Sequence, residues 1–597
     1  MDKQATIGFV LIGLVLIIWM WVQAPTPGQR PPSQPRDSVA AVVPPPDTTV
    51  RIPRPTTQAQ AAVPESPGRF FSHLTTGREK VLTVRTELYT AEVSTRGGLL
   101  RKWELSKYLT WDKHPVQLLD YGAGGDFSLL FTSADGRLVS TRTLYFQSEF
   151  PAGKTVELRG NDSLSVELRL PVSEGKAIVK RYVFTNGRYG FDAEFVFQNC
   201  ADVIANYEYQ VTWDTGLRYA EANSVEESNF AKAFAFSGGE LAELDASSVG
   251  ETPQRDITGA TSWVAARTKY FAVALIPGED SGQGGFLQGS RTDQPDHGVK
   301  ENYSLALKMP YRGRPTESSR VSVFLGPLDF DVLKEYNRSL DQMMSLGAAW
   351  IIRPISEYVM LPLFSFLRWL IPNYGLVIII FSIIIKIGLH PLTKTSMKSM
   401  KQMQALQPMM TEIREKHKDD PQRMNQQIMN LYKEYGVNPA AGCLPLLLQM
   451  PILFALYAVF SSAIQLRQAA FFGWIHDLSI PDIIFTLPFT IPMFGISQIS
   501  GLALAMGITM FVQQKMTVTD PRQKAMVWMM PVMMTLLFNN FPSGLNLYYF
   551  VFNLLSIGQQ MWMNKTHGSE PLRKVDPKKK KGGFIARLTK DLPKLGQ

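Results

Sequence analysis

The sequence predicts a multi-domain membrane protein: an α-helical membrane core with an N-terminal anchor helix, joined to a large outward-facing antiparallel β domain. Three observations predict it. The mean hydropathy of the 597-residue chain, −0.05, averages a polar N-terminal half with a strongly apolar C-terminal third. Five apolar runs in that third contain no Asp or Glu. Residues 69–343 instead carry short alternating stretches, such as KVLTVRTELYTAEVST and FDAEFVFQN, separated by turn signals.

Residues 1–22 open with an apolar run from Thr6 to Val22 that follows Lys3 and ends beside two tryptophans. It sits at the short edge of the about 20 residues that span a bilayer. Val22-Gln23-Ala24 resembles a signal-peptide cleavage motif, but Pro25 directly after it disfavours cleavage, so a retained transmembrane anchor is expected. Residues 23–68, with PPSQP and VVPPPD, have the composition of an extended, disordered linker.

For residues 69–343, hairpins are expected at Asp135-Gly136 and Asn186-Gly187, because both dipeptides accept positive φ. Repeated strands of this spacing form a large antiparallel sandwich. Its carboxylates, among them Asp120, Asp126, Glu194 and Asp214, leave a glycosidase pair open. Carboxylates on strands are more often solvated faces, and the domain reads as a binding or spacer module.

Residues 344–373 follow. In the stretch 350–371, Arg353, Ser356, Glu357 and Arg368 fall within one arc at 100° per residue, as in an amphipathic helix lying in the membrane interface. Pro354 and Pro362 should bend it.

The core, residues 374–564, contains candidate spans at 374–392, 444–466, 496–512, 525–541 and 545–563. Basic residues orient them. Lys394, Lys398, Lys401, Arg414, Lys416, Lys418, Arg423 and Lys433 fill one connection, and Lys515, Arg522 and Lys524 fill the next on that side. The opposite connections hold little beyond Arg467. With the anchor, this gives six spans, both termini cytoplasmic and the β domain outside. The basic tail, residues 565–597 with four consecutive lysines from Lys578, could meet anionic lipid or RNA, or remain solvated.

Within the core, residues 393–438 form an amphipathic cytoplasmic hairpin. Met400, Met403, Leu406, Met410 and Ile413 recur at helical spacing. Met424, Ile428, Leu431 and Tyr435 do so again after the Asp420-Pro421 helix start. The methionines suit either hairpin packing or a surface that accepts many apolar sequences.

Lys386 is the lone charge in GLVIIIFSIIIKIGL. Such a residue marks a functional site by default, although its stem could also snorkel toward headgroups about 9 Å away. Ser382, Gln449, Gln498, Thr509, Gln513, Asn539, Asn540, Asn546, Asn553 and Gln559 add uncharged polarity across the bundle. Some of these glue helices together; together with Lys386 they are better explained by a hydrated groove. Prolines 445, 451 and 531 imply irregular helices.

Cofactor chemistry has no support. The only cysteines, Cys200 and Cys443, form no CxxC pair, and the seven histidines lack metal-ligand spacing. The sequence has neither a P-loop nor an HExxH motif. No metal and no catalytic residue is expected.

The strings NYGLVIIIFSIIIKIGLHPLTK, QMQALQP, VNPAAGCLPLLLQMPILFALY, LRQAAFFGWIHDLS, VTDPRQKAMVWMMPV and FPSGLNLYYFVFNLLSIGQQ resemble the YidC family of membrane protein insertases. The resemblance is to the Gram-negative form and extends more weakly to YTAEVSTRGGLLRKWEL and FLGPLDFDVLKEY. It implies a non-enzymatic insertase and chaperone of the cell inner membrane, with a five-helix core and a periplasmic β-supersandwich. Its hydrophilic groove would open to cytoplasm and lipid. Nascent membrane proteins would be its clients, the Sec translocon and membrane lipids its partners, and the ribosome a further contact of the basic tail. The groove's charge in this family is usually arginine, and Lys386 stands at the corresponding position, keeping the charge without the planar donor fork. Ser382 and Tyr549 match client-contacting positions, and Gln449, Gln513 and Asn546 are further groove candidates. Met400, Met403, Met410 and Met424 would belong to the client-receiving hairpin. A small-solute transporter with an outer binding domain is the alternative; it calls for inverted repeats and coupling carboxylates in the spans. An anchored carbohydrate-active enzyme and a purely structural scaffold are further rivals.

Overall fold

The computed structural model describes residues 67–278, 282–348, 350–437, 444–491, 494–517, 524–566 and 574. The expected anchor (1–22), nearly all of the linker (23–68) and most of the basic tail (565–597) lie outside the described residues. The chain divides into two compact units, residues 1–343 and 344–597.

The first unit is β-rich. A five-stranded sheet runs in the order Pro115–Gln117, Leu100–Leu109, Tyr89–Ser94, Val81–Arg85 and Thr155–Glu157. Its last pairing is parallel and the others antiparallel. A thirteen-stranded antiparallel sheet forms the bulk of the unit. Both expected hairpins are present. Gly136 (φ +76°) turns the chain between Ser128–Thr132 and Leu138–Ser140, and Gly187 (φ +80°) turns it between Lys176–Thr185 and Gly190–Gln198. The two sheets meet through aromatic side chains. Trp103 of the smaller sheet stacks on Tyr89 at 3.9 Å and reaches Phe191 of the larger at 6.0 Å between ring centroids. Phe127, Tyr182 and Phe195 extend the cluster, and buried rings of this size supply most of such a core's apolar area.

The second unit is helical. Nine of its helices are α1 (Leu361–Leu370), α2 (Tyr374–Gly388), α3 (His390–Ala405), α4 (Gln407–Lys416), α5 (Pro421–Tyr435), α6 (Leu444–Ser462), α7 (Gly501–Thr517), α8 (Lys524–Phe538) and α9 (Ser543–Thr566). The sequence explains their ends. Asn373 caps α2 by accepting from the amide of Leu376 at 3.1 Å. Asp420 caps α5 through the amide of Arg423 at 3.0 Å, with Pro421 in the first turn. At the far end of α5, Gly436 takes the left-handed conformation (φ +63°) and the Val437 amide returns to the Tyr432 carbonyl. Pro451 and Pro531 lie inside α6 and α8.

Three expectations are corrected. Residues 496–500 form a strand, not the start of a helix. Gly495 (φ +64°) turns the chain so that Ile496–Ser500 pairs with Ile483–Ile491, and Ser500 then caps α7 by accepting from the amide of Ala503. The stretch around residues 350–371 is helical without a break from Ile352 to Leu370, with a π-helical segment, Ser356–Met360, between Ile352–Ile355 and α1. Its polar arc also turns inward. Ser356 is fully buried and Arg353 faces Glu357 at 3.6 Å, while Tyr358, Phe366 and Trp369 are exposed. The connection of residues 393–438 forms three helices rather than two, because the chain breaks at Leu406 between α3 and α4.

Among the described residues, no helix is long and apolar enough to cross a membrane. The five crossings expected within the core are therefore not displayed as such among the described residues. At about 1.5 Å per residue, the 15 residues of α2 and of α8 reach roughly 22 Å against a hydrocarbon core of about 30 Å. The 24-residue α9 is long enough, but Asn546, Asn553, Ser556, Gln559 and Gln560 interrupt its apolar character.

Candidate functional site

The four carboxylates singled out in the β unit, Asp120, Asp126, Glu194 and Asp214, are each engaged by neighbouring groups. Asp126, buried, accepts hydrogen bonds from the amides of Asp214 and Thr215 and lies 3.6 Å from Arg142, which also pairs with Asp214. Burial and the charge of Asp126 push the Asp214 carboxyl up to about 6. Glu194 is held by Arg181 at 2.6 Å, and Asp120 faces Lys300 at 3.5 Å. A glycosidase pair needs two carboxyl groups free to flank a substrate. These four are each occupied.

In the helical unit, α2 packs along α9. Lys386 lies near the C-terminal end of α2, and its ammonium points onto α9, not into bulk water. Nζ donates to Ser556 Oγ at 2.6 Å and stands 4.3 Å from the Phe552 ring centroid. Phe552 and Ser556 are one turn apart, so ring and hydroxyl form a single receiving face. Ser556 completes its own bonding by donating to the Phe552 carbonyl at 2.7 Å.

A cavity of about 290 Å³ adjoins the ammonium, lined by Lys386, Ile387, His390, Pro391, Leu555 and Gln559. Gln559 Nε2 lies 3.1 Å from His390 Nδ1 and 3.5 Å from Thr393 Oγ1. A cation, an imidazole and an amide thus share one pocket between α2, α3 and α9, and such a pocket can hold water or a polar chain segment.

The other expected groove residues divide. Ser382, fully buried one turn before Lys386, donates to the Ile378 carbonyl at 2.7 Å. Tyr549 is buried on α9, two turns before Ser556, with its ring edge-on to Phe538 and Tyr548 and its hydroxyl without a partner. Gln449 and Gln513 are half-buried on α6 and α7. Asn546 is elsewhere. It donates to the Phe538 carbonyl at 3.2 Å and lies 3.5 Å from Ser500 Oγ, about 15 Å along α9 from Ser556.

That second cluster is built on Asp482. Its carboxylate accepts from Ser500 Oγ (2.5 Å), the Leu502 amide (2.8 Å) and Trp474 Nε1 (2.8 Å). Asn539 joins it by accepting from the Ser500 amide and donating to the Gln498 carbonyl. A carboxylate at the first turn of α7 also complements the helix dipole.

On the connection of residues 393–438, Met410 and Met424 are buried, and Met403 packs on the small core of Leu406, Met410, Leu431 and Val437. Met400 is half-buried; the methionines left exposed there are Met409 and Met429. Lys401 Nζ donates to the Met563 carbonyl at 2.6 Å and Gln404 Nε2 to the Thr517 carbonyl at 2.7 Å, so α3 caps the ends of both α9 and α7.

Sequence reasoning missed Ser556, Phe552 and His390. The signal was the spacing of Phe552, Ser556 and Gln559 on α9, which puts them on one face.

The chain was compared with known proteins. The membrane protein insertase YidC of Prosthecochloris aestuarii is 41% identical over 584 residues, covering 97% of either chain. The chain belongs to the YidC family. YidC of Chlorobaculum parvum is 40% identical over 577 residues, 96% of each. The family model described as YidC periplasmic domain matches residues 81–357, and the one described as 60Kd inner membrane protein matches residues 366–570. Among solved structures, an active YidC insertase with its first transmembrane domain resolved aligns with 82% of this chain and 96% of its own. That alignment has 19% identity and a TM-score of 0.35, and membership rests on the sequence relatives. YidC proteins are inner-membrane insertases, not enzymes, and the transporter alternative finds no support among these relatives.

Proposed function

We propose that this chain inserts nascent membrane proteins into the inner membrane through the Lys386 pocket. The observation that carries the reading is the direction of the Lys386 ammonium, which is turned onto Ser556 beside a cavity that His390 and Gln559 also line. A positive charge so placed attracts an acidic outer tail of a client.

The steps follow from the elements. A nascent segment first meets the hairpin of residues 393–438, with Met400 and Met403 of α3, Met410 of α4 and Met424 of α5 forming or supporting the receiving surface. It then enters a groove contacted by Lys386, Ser382, Gln449, Gln513, Tyr549 and Asn546. Water in the groove lowers the desolvation cost of moving the polar tail. Helices of the length of α2 and α8 favour a locally thinned bilayer, which shortens the path. The client's apolar helix leaves into lipid, driven by apolar burial.

In this reading the chain is multi-pass, with anchor 1–22 retained, both termini cytoplasmic and residues 69–343 periplasmic. The Sec translocon acts as partner for some clients, and tail 565–597 meets the ribosome. Photocrosslinkers at Ser382, Lys386 and Tyr549 should capture stalled nascent chains. Capture at none of the three, with efficient insertion in the same vesicles, would overturn the route.

A further inference from the structure

The ribbon formed by Ile483–Ile491 and Ile496–Ser500 exposes a run of apolar side chains. Two strands pair antiparallel, from Ile483 opposite Ser500 to Ile491 opposite Ile496, and no third strand joins them among the described residues. Ile484 is 51%, Phe485 58% and Phe489 61% exposed. Ile483, Thr486, Pro488 and Thr490 are exposed as well, so neither face of the ribbon is covered. An isolated two-stranded ribbon is marginal in water, and large exposed apolar patches mark contact surfaces.

Its base, however, is fixed. Asp482 and Ser500 join the ends of the two strands, Trp474 reaches Asp482, and Asn539 holds Gln498. A Cβ on Gly501 would lie 2.9 Å from Trp474 Nε1 and 3.0 Å from Ile484 Cγ2, so the close approach at this corner depends on glycine. The ribbon is therefore held out by a rigid mount.

Three features select what covers it. The sequence from Ile483 to Gln514 has no ionisable residue, which disfavours a charged or strongly hydrated partner surface. The ribbon runs directly into α7, whose outward stripe is Leu504, Ile508 and Val512 at four-residue spacing, an apolar face suited to lipid. Exposed Phe472 and Trp474 lie in the connection that precedes it, residue types that favour the boundary between headgroups and acyl chains. The outer edges of the two strands leave N–H and C=O groups unpaired, which the hydrocarbon interior does not tolerate.

We propose that this ribbon is a membrane-interface anchor, lying at the headgroup–acyl boundary of the leaflet at the Asp482 end of α7, with lipid as its occupant. Its apolar side chains enter the acyl region while the strand edges and Thr486, Thr490 and Gln498 meet headgroups and water. Lacking basic residues, it binds by apolar burial and is insensitive to salt. The inference rests on the reading of α7 as part of a membrane core.

The test uses the full chain, with Cys443→Ser, reconstituted in vesicles of zwitterionic and anionic phospholipid. An environment-sensitive fluorophore is placed at Phe489→Cys and, separately, at Ile508→Cys. Quenching is measured with nitroxides near the headgroup, nitroxides at the acyl terminus, and aqueous iodide. The expected result at residue 489 is a blue-shifted emission quenched several-fold more by the shallow nitroxide than by iodide or the deep nitroxide. Strong iodide quenching, strongest quenching by the deep nitroxide, or protection from all three, as under a protein partner or an added strand, each overturns the proposal. If residue 508 reports lipid contact while 489 does not, the anchor alone fails. If residue 508 also reports only water, the membrane-core reading fails with it.

Discussion

Lys386 on α2 and Ser556 on α9, 170 residues apart in sequence, share a 2.6 Å hydrogen bond from ammonium to hydroxyl. The contact fixes the direction of a charge that the sequence alone leaves free to snorkel.

Lys386→Ala should lower insertion of acidic-tailed clients on the order of tenfold, as expected for loss of about 1.4 kcal/mol of attraction. Lys386→Arg should retain most activity, and clients with neutral tails should be affected least. Reconstituted vesicles with matched client pairs provide the measurement; equal losses for both client classes would refute the charge role.

Ser556→Ala removes the acceptor without touching the charge. Docking of α2 on α9 should weaken by about 1.5 kcal/mol, the scale of a hydrogen bond to a charged group. Faster hydrogen exchange in Tyr374–Gly388, with insertion reduced less than in Lys386→Ala, is the expected pattern.

The crossing of α7 and α8 depends on a small residue. A Cβ on Gly507 would lie 1.9 Å from Thr535 Oγ1, so Gly507→Ala should destabilise the unit by about 1 to 3 kcal/mol through overpacking. Thr535→Ala in the same chain should recover much of the loss, read as the melting temperature in detergent micelles. Absence of rescue would place the clash elsewhere.

In the β unit, Lys180 is fully buried, donating to the Gly97 carbonyl at 2.8 Å, and burial pushes its ammonium down to about 7. Above pH 7 the folded state has released a proton that the unfolded state keeps until about 10.4. Stability should therefore rise with pH between these values, by up to about 1.4 kcal/mol per unit, and be flat below 7. Hydrogen exchange of Lys176–Thr185 in the full chain should slow from pH 7 to 9 after correction for intrinsic rates. Lys180→Met should abolish that slope.

Local signals carried far. Asp135-Gly136, Asn186-Gly187 and Asp420-Pro421 each specify a backbone conformation whatever surrounds them, and each forms as expected. Periodicity carried less. It groups Arg353, Ser356 and Glu357 on one face but does not say which face looks inward, since lipid makes an apolar exterior as acceptable as an apolar core. The same ambiguity separates Met410 and Met424, which fill the hairpin's own core, from the exposed Met409 and Met429. The strand at Ile496–Ser500 was hidden because an apolar run preceding a helix looks like its first turn. The partnership of Lys386 with Ser556 depends on how α2 meets α9, which a single sequence does not encode at short range.

The two bonds from Lys401 and Gln404 to the carbonyls of Met563 and Thr517 tie the connection of residues 393–438 to the rest of the helical unit. They join α3 to the ends of two separate helices, one of which carries Ser556, so any displacement of α3 that keeps both bonds must carry both helix ends with it.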